Sequence, residues 1–242
     1  MTIHGKDTGI ALAQYDLTRW CNEVSGDQSL EAADASCFDE PQGAKVYVIG
    51  LNDSTFSWSG REQGKINEPG LRAVVDGVAQ LEAGVPFTVA VQRGFHPGRI
   101  AQMGSVLSTS INLSAPVADV VSVSGDFQSD GPQMLGRILT DKLPYTATKQ
   151  GQAIDLAAPS LGAVIHVHIT QNSRNGQVTV TVQHSDDGLV WVDLDQYIAE
   201  EEELASASLA VDAPVDQYVR AVVSLAGTSG TATVRVAIAV RK

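Results

Sequence analysis

The chain has 242 residues, 43 % of them apolar and 5 % aromatic, with a formal net charge of −12. The length suffices for one large all-β domain or two smaller ones, and the apolar share excludes a globally disordered chain. The acidity argues against a surface built to hold nucleic acid or anionic lipid; the plain reading is solubility, and the sharper one is a surface past which DNA slides without sticking.

Val, Ala, Ser, Thr and Gly dominate, a balance that suits β-structure. Thr8 to Gln14 alternates weakly and predicts a first strand with its apolar centre at Ile10 to Ala13. Tyr15 to Trp20 is a short second element, which Asn22 to Leu30 extends. A polar insert from Ser25 to Gly43 overlaps that extension, charged by Glu31, Asp34, Asp39 and Glu40 and closed by Pro41 and Gly43. An excursion of this length inside a compact domain needs a reason, and packing on another copy of the chain is one. Lys45 to Ile49 then predicts a strand and Gly50 to Asp53 a turn. From Thr55 to Ser59 (and on to Gly60), Thr55, Ser57 and Ser59 alternate with Phe56, Trp58 and Gly60, the period of a strand with one polar and one apolar face.

The one convincing helix is Glu68 to Leu81. Leu71, Val74, Val75, Val78 and Leu81 share a face, Asn67 offers an N-cap, and Pro69 sits in the first turn. Pro86 to Gln92 is the next strand. Two long strands follow, Arg99 to Leu113 and Ala115 to Phe127. Leu107, Ile111 and Leu113 are expected on one face of the first, with Ser108, Ser110 and Asn112 on the other; in the second, Val121 and Val123 oppose Ser122 and Ser124. Rows of small polar residues suit a channel lining or an ordinary wet sandwich face.

Gly131 to Pro144 reads as a transition and Gln150 to Pro159 as loop. Beyond Leu161 the strands shorten: Val164 to Thr170, Gln177 to Gln183, Leu189 to Leu194, Ser206 to Leu209, Gln217 to Leu225 and Thr231 to Val240. Asn175-Gly176 and Asp187-Gly188 are expected to close hairpins. The pattern predicts a small antiparallel sandwich after a boundary near residue 145, giving domains 1–144 and 145–242.

Chemistry is sparse. His166 and His168 share a strand face and could hold a metal with a third ligand, but none is offered nearby; a packed or exposed pair is the expectation. His184, Asp186 and Asp187 cluster at a hairpin tip, where calcium or sugar contact competes with plain Asp-Gly turn chemistry. Glu200 to Glu203 reads as a solvated loop or helix end. Trp58 and Trp191 are expected as core anchors, with a sugar platform of Trp191 and Tyr197 as the alternative. Cys21 and Cys37 could pair, but nothing requires it, and free thiols in a cytoplasmically made chain are expected. No catalytic, cofactor or metal motif is present, so no cofactor is expected. No apolar run follows Met1 and none is long enough to span a bilayer, so a soluble chain without a leader or membrane contact is expected.

The runs Ile3-His4-Gly5-Lys6-Asp7-Thr8, Tyr15-Asp16-Leu17, Asn22-Glu23-Val24-Ser25, Tyr47-Val48-Ile49-Gly50-Leu51 and Ser57-Trp58-Ser59-Gly60 resemble the major tail tube subunits of long-tailed, siphovirus-type phages of actinobacteria, over roughly residues 1–140. Thr179 to Gly188 with Trp191 looks like the β-sandwich additions of phage structural proteins. The resemblance implies a mainly β fold: an N-terminal tail-tube-like sandwich or barrel with one flanking helix, Glu68 to Leu81, plus a C-terminal antiparallel sandwich projecting outward. It further implies hexameric rings stacked into a tube with a negative lumen, self-contact through Ser25 to Gly43, contact with tape-measure and other tail proteins, DNA only in transit, and location in a virion tail assembled in a host cytoplasm. The alternatives are a distal-tail adapter, a terminator or a capsid decoration, a glycan-binding module using Trp191, Tyr197 and the Asp186 to Gly188 turn, and, weakest, an enzyme.

Overall fold

The computed structural model describes residues 5–34, 47–62, 70–81, 83–91 and 94–241. The molecule is mainly β. In chain order the strands are β1 (Gly9–Leu12), β2 (Tyr15–Asp16), β3 (Cys21–Asp34), β4 (Tyr47–Arg61), β5 (Val85–Ala90), β6 (Ile100–Ser114), β7 (Ser122–Ser129), β8 (Met134–Ile138), β9 (Lys149–Gln150), β10 (Ile154–Asp155), β11 (Gly162–Asn172), β12 (Val178–Ser185), β13 (Val192–Ala199), β14 (Ala205–Val211), β15 (Tyr218–Leu225) and β16 (Ala232–Arg241). One α-helix among the described residues, α1 (Leu71–Ala79), lies between β4 and β5.

The long strand β6 is the branch point of the larger sheet. Its first part, Ile100 to Met103, pairs with β8, while Val106 to Ser114 pairs with β7. From β7 the sheet continues to β4 and then β3; from β8 it continues to β16, β11 and β14. On the other side of β6, β5 pairs from Val106 down to Ala101 and leads to β1 and β2. A second sheet, with β12 and β15 central, β13 at one border and the short β9 and β10 at the other, packs over β11 and β16.

Strand alternation explains the two large cores. Ile165, Val167 and Ile169 of β11 face Val178, Val180 and Val182 of β12 and Val219, Ala221 and Val223 of β15 in a β-branched interior. The other core gathers Phe56, Trp58, Phe87 and Phe127 under α1. Phe127 stacks on Trp58 at 5.6 Å and meets Phe87 edge-on at 5.4 Å. Gly125, paired opposite Trp58, leaves room for the indole, because a Cβ there would collide with the Ser110 carbonyl and crowd the Trp58 ring.

Several expectations are corrected. Residues 25–34 of the expected insert are strand, paired with β4 out to Asp34 opposite Tyr47; residues 35–46 lie outside the described residues. The ladder forms although the segment is mostly polar in sequence, because backbone pairing needs no apolar side chain. The helix begins at Leu71 behind Gly70, and its second backbone N–H, that of Arg72, donates to the Glu62 carboxylate at 2.9 Å; Asn67 and Glu68 lie outside the described residues. Leu81 falls beyond the helix end and is exposed. Residues 115–121 are a turn, with Pro116 unable to donate to a ladder and the Asp119 carboxylate accepting the Val120 N–H at 2.7 Å. Asn175-Gly176 closes no hairpin: β11 and β12 lie in different sheets, and the segment is a corner between them. Buried Arg174 fixes that corner by donating to the carbonyls of Ala226, Gly227 and Gly230, while the Asn175 side chain accepts the Thr228 and Ser229 N–H groups. Asp187-Gly188 does close the β12–β13 hairpin, with Gly188 at φ +72° and the Asp187 carboxylate accepting the Leu189 and Val190 N–H groups.

Candidate functional site

The strands β3, β4, β7 and β6 form a four-stranded sheet whose two faces differ completely in chemistry. Register places Ser25 beside Ser57, Ser57 beside Asp126 and Asp126 beside Ser110. The rows on either side follow the same rule: Asp27–Thr55–Gln128–Leu107, and Glu23–Ser59–Ser124–Asn112. Residues directly opposite share a face, so this side is a field of small hydroxyls, amides and carboxylates. The reverse side carries Phe56, Trp58, Val123 and Phe127 into the core.

A β-bulge between Ser108 and Ser110 shifts the expected faces of β6. Ser108 pairs opposite buried Phe127 and turns inward, where its hydroxyl has no partner, whereas Leu107 joins the polar side. Ser110 and Asn112 stay on the polar face, as do Ser122 and Ser124 of β7. Within a single strand, period-two reading carries no signal of a one-residue insertion.

Asp126 sits at the centre of the polar face. Ser57 Oγ donates to it at 2.7 Å and Ser110 Oγ at 2.8 Å, and these bonds hold its carboxyl below the usual range. Asp53 accepts from the Gln128 amide. With Glu23 and Asp27 the face presents four acids, against Arg61 at its end. Arg61 apart, the polar groups of these rows are hydroxyls, amides and carboxylates, a chemistry that disfavours polyanions.

The sheet is unfinished at both sides. Among the described strands, β3 pairs only with β4, leaving its other border bare over 14 residues. In β6 the pairing with β5 stops at Val106, so Leu107 to Ser114 pairs on one side only. That second border contains no charge and no proline, the residues that usually guard a strand edge. Beyond Asp53 the β3–β4 pair also runs on as a two-stranded ribbon, about 20 Å past the end of β7.

The other candidate residues do not converge on this sheet. His166 and His168 are buried against β5: Thr88 Oγ1 lies 3.1 Å from His166 Nδ1 and 2.9 Å from His168 Nε2, and His168 Nδ1 donates to the Ala13 carbonyl at 2.7 Å. Burial pushes both imidazoles down, His166 to about 3, with His168 adding to it, and His168 to about 4. They form a neutral clasp between β11 and the β1–β5 layer. No third His, Cys, Asp or Glu joins them among the described residues. His184 Nδ1 lies 2.9 Å from the Asp216 carboxylate, and Asp216 in turn raises the Asp186 carboxyl. Glu200 to Glu203 form a turn, closed by the Glu203 N–H donating to the Glu200 carbonyl and anchored by Asn172. Trp58 is a core residue; Trp191 is not, lying half-buried with the Arg220 guanidinium 4.1 Å over its ring. Tyr197 pairs opposite buried Val180 and faces the core, whereas Arg220 and its neighbour Gln183 hold Trp191 on the outer side, so the two rings make no platform. Cys21 is a free thiol that burial pushes up to about 12; Cys37 lies outside the described residues. No helix among the described residues is long and apolar enough to cross a membrane.

No family model matches the chain, and no curated protein matches it. Among solved structures, it is similar to a chain of the virion of a native gene transfer agent particle, with 16 % identity and a TM-score of 0.45 over 55 % of this chain and 98 % of that one. It is also similar to the SPP1 tail tube, with 17 % identity and a TM-score of 0.40 over 55 % of this chain and 78 % of that one. A third is a chain of the phage p2 baseplate in its activated conformation, with 9 % identity and a TM-score of 0.33 over 96 % and 97 % of the two chains.

Proposed function

We propose that this chain is a non-catalytic virion subunit that assembles with copies of itself into stacked rings of a phage-type tail tube, its polar sheet lining a channel through which DNA passes. The observation that carries the reading is a sheet with one apolar face, one face of hydroxyls and carboxylates, and two borders left open among the described strands, that of β6 uncharged. Joining the β3 border of one copy to the β6 border of the next is a head-to-tail contact, and such contacts form a ring when the rotation from copy to copy closes. Closure removes both borders together and turns the polar faces inward.

The dimensions agree with the role. Six copies supply roughly 24 strands, and at ordinary spacing and tilt that barrel is about 45–50 Å across at the backbone. A duplex fits inside with its phosphates facing Asp126, Glu23, Asp27 and Asp53. The C-terminal part, 145–242, with its own β-branched core, is read as a domain riding outside the channel and tied to the first through β8 and β16. Siphovirus-type tails, contact with a tape-measure protein and assembly in a host cytoplasm belong to the same reading.

Electron microscopy of concentrated full-length protein, paired with light scattering across a dilution series, tests it. Rings with a central hole, stacking into tubes, are expected. A chain monomeric at every concentration would overturn it.

A further inference from the structure

A cleft of about 790 Å³ opens between the two halves of the chain, and none of its described lining belongs to β3, β4, β6 or β7. Its size suits a small organic molecule. A β-bulge shapes one wall. The β11–β16 ladder slips between Ile169 and Gln171, so Thr170 and Gln171, neighbours in the chain, both line the cleft. Arg235, opposite His168 on β16, lines it beside them.

Arg235 is 5 % exposed, with its guanidinium 5.1 Å over the Phe95 ring. Its Nη1 donates to the Asp141 carbonyl at 3.0 Å. The Asp16 carboxylate stands off at 3.5 Å from Nη2, and its Oδ1 accepts the Thr18 N–H at 3.0 Å. Nε has no partner among the described residues, and neither has the buried Thr170 hydroxyl. A buried donor left bare is costly, and a bound acceptor relieves that cost.

An arginine Nε–H only donates, and a hydroxyl can donate too, so one acceptor group serves both. A carboxylate does so with charge as well, and Lys142, exposed at the lip, adds a second cation. Tyr15, Trp20, Phe95 and Leu204 supply apolar wall. A small ion such as acetate leaves that wall wet, whereas an acid on a flat apolar body covers it.

We propose that the cleft binds a small organic carboxylate with a flat apolar body, its charged end toward Arg235 and Thr170 and its body along the aromatic wall. The site uses none of the strands that the assembly reading invokes, so it stands or falls independently of ring formation.

Cinnamate is the probe. Titrated into full-length protein labelled at its leucine methyls, it is expected to move the NMR signal of Leu204 and to leave in place that of Leu189, exposed on the β12–β13 turn. The dissociation constant is expected at or below about 1 mM. Cinnamamide, of the same shape without the charge, binds at least tenfold more weakly. Arg235→Lys keeps a cation beside Asp16 but removes the Nε–H, and it weakens cinnamate at least tenfold. Thr170→Val removes only the hydroxyl and weakens cinnamate severalfold; it decides the matter where Arg235→Lys fails to fold. A Leu204 signal that does not move, an amide that binds as well as the acid, or a Thr170→Val protein that binds cinnamate like the parent overturns the proposal.

Discussion

The sheet β3–β4–β7–β6 and the sheet β13–β12–β15 differ most at their borders. In the second, one border is made of β9 and β10, two residues each, and the other, β13, is bulged near Gln183 and carries Asp193 and Asp195. Short, bent and charged borders end a sheet. In the first, one border runs 14 residues and the other, Leu107 to Ser114, is uncharged. One sheet ends in short or charged strands, and the other leaves both long borders open among the described strands.

The deepest test of the contrast is in the cores. Phe127→Ala removes a ring held between Trp58 and Phe87 and is expected to cost about 3–5 kcal/mol, read from urea unfolding. Ile165→Ala in the other core is expected to cost about 2–5 kcal/mol. Both variants should shift one coincident transition, since β8 and β16 join the cores through a shared ladder. Two separate transitions would show the halves to be thermodynamically independent.

Next in size is the histidine clasp that ties β11 to β5. Thr88→Val leaves both rings short of a partner and is expected to cost about 1–3 kcal/mol. The clasp also sets an acid limit. Unfolded histidine titrates near pH 6.5, whereas the folded groups bind protons only near 4 and 3. Between those values the unfolded chain holds more protons, so stability is full above about pH 7 and drains as pH falls through that window. Melting temperature measured from pH 8 to 3 should follow that course, and a protein with both histidines replaced by Asn should lose much of the slope.

Smaller still is the helix start. Glu62→Ala removes the acceptor of the Arg72 N–H and is expected to cost about 1 kcal/mol, seen as a lower urea midpoint. The smallest effect on the fold carries the most information about the borders. Leu113→Lys, half-exposed on the β6 border, should leave monomer stability within about 0.5 kcal/mol yet abolish rings. Ile198→Lys on β13 should leave both unchanged. Rings that survive Leu113→Lys would show that this border takes no part in closure.

What could be read from the chain, and what could not, follows from the range of the forces. The alternation of Ser57 and Ser59 with Phe56 and Trp58 names a strand and its wet face, because side-chain direction is local. Asp187-Gly188 names its turn for the same reason. Asn175-Gly176 carries the same local signal and misleads, since Arg174 binds three carbonyls some fifty residues away and makes a corner there. Met134 to Ile138 reads as a transition, yet β8 is the strand that joins the two halves. The polar sheet was half legible: its serine rows showed, but Asp126 and its two hydroxyl donors come from three separate strands.

By itself the sequence determined a mainly β chain, an acidic surface, one flanking helix and strands with a hydroxyl-rich face, because period and composition act through neighbouring residues. Only the tertiary structure decided which strands meet, where the bulge at Ser108–Ser110 turns the rows, and which borders stay open. Hydrogen-bond ladders between residues tens of positions apart fix those, and a one-residue shift in any of them would exchange the wet face for the dry one.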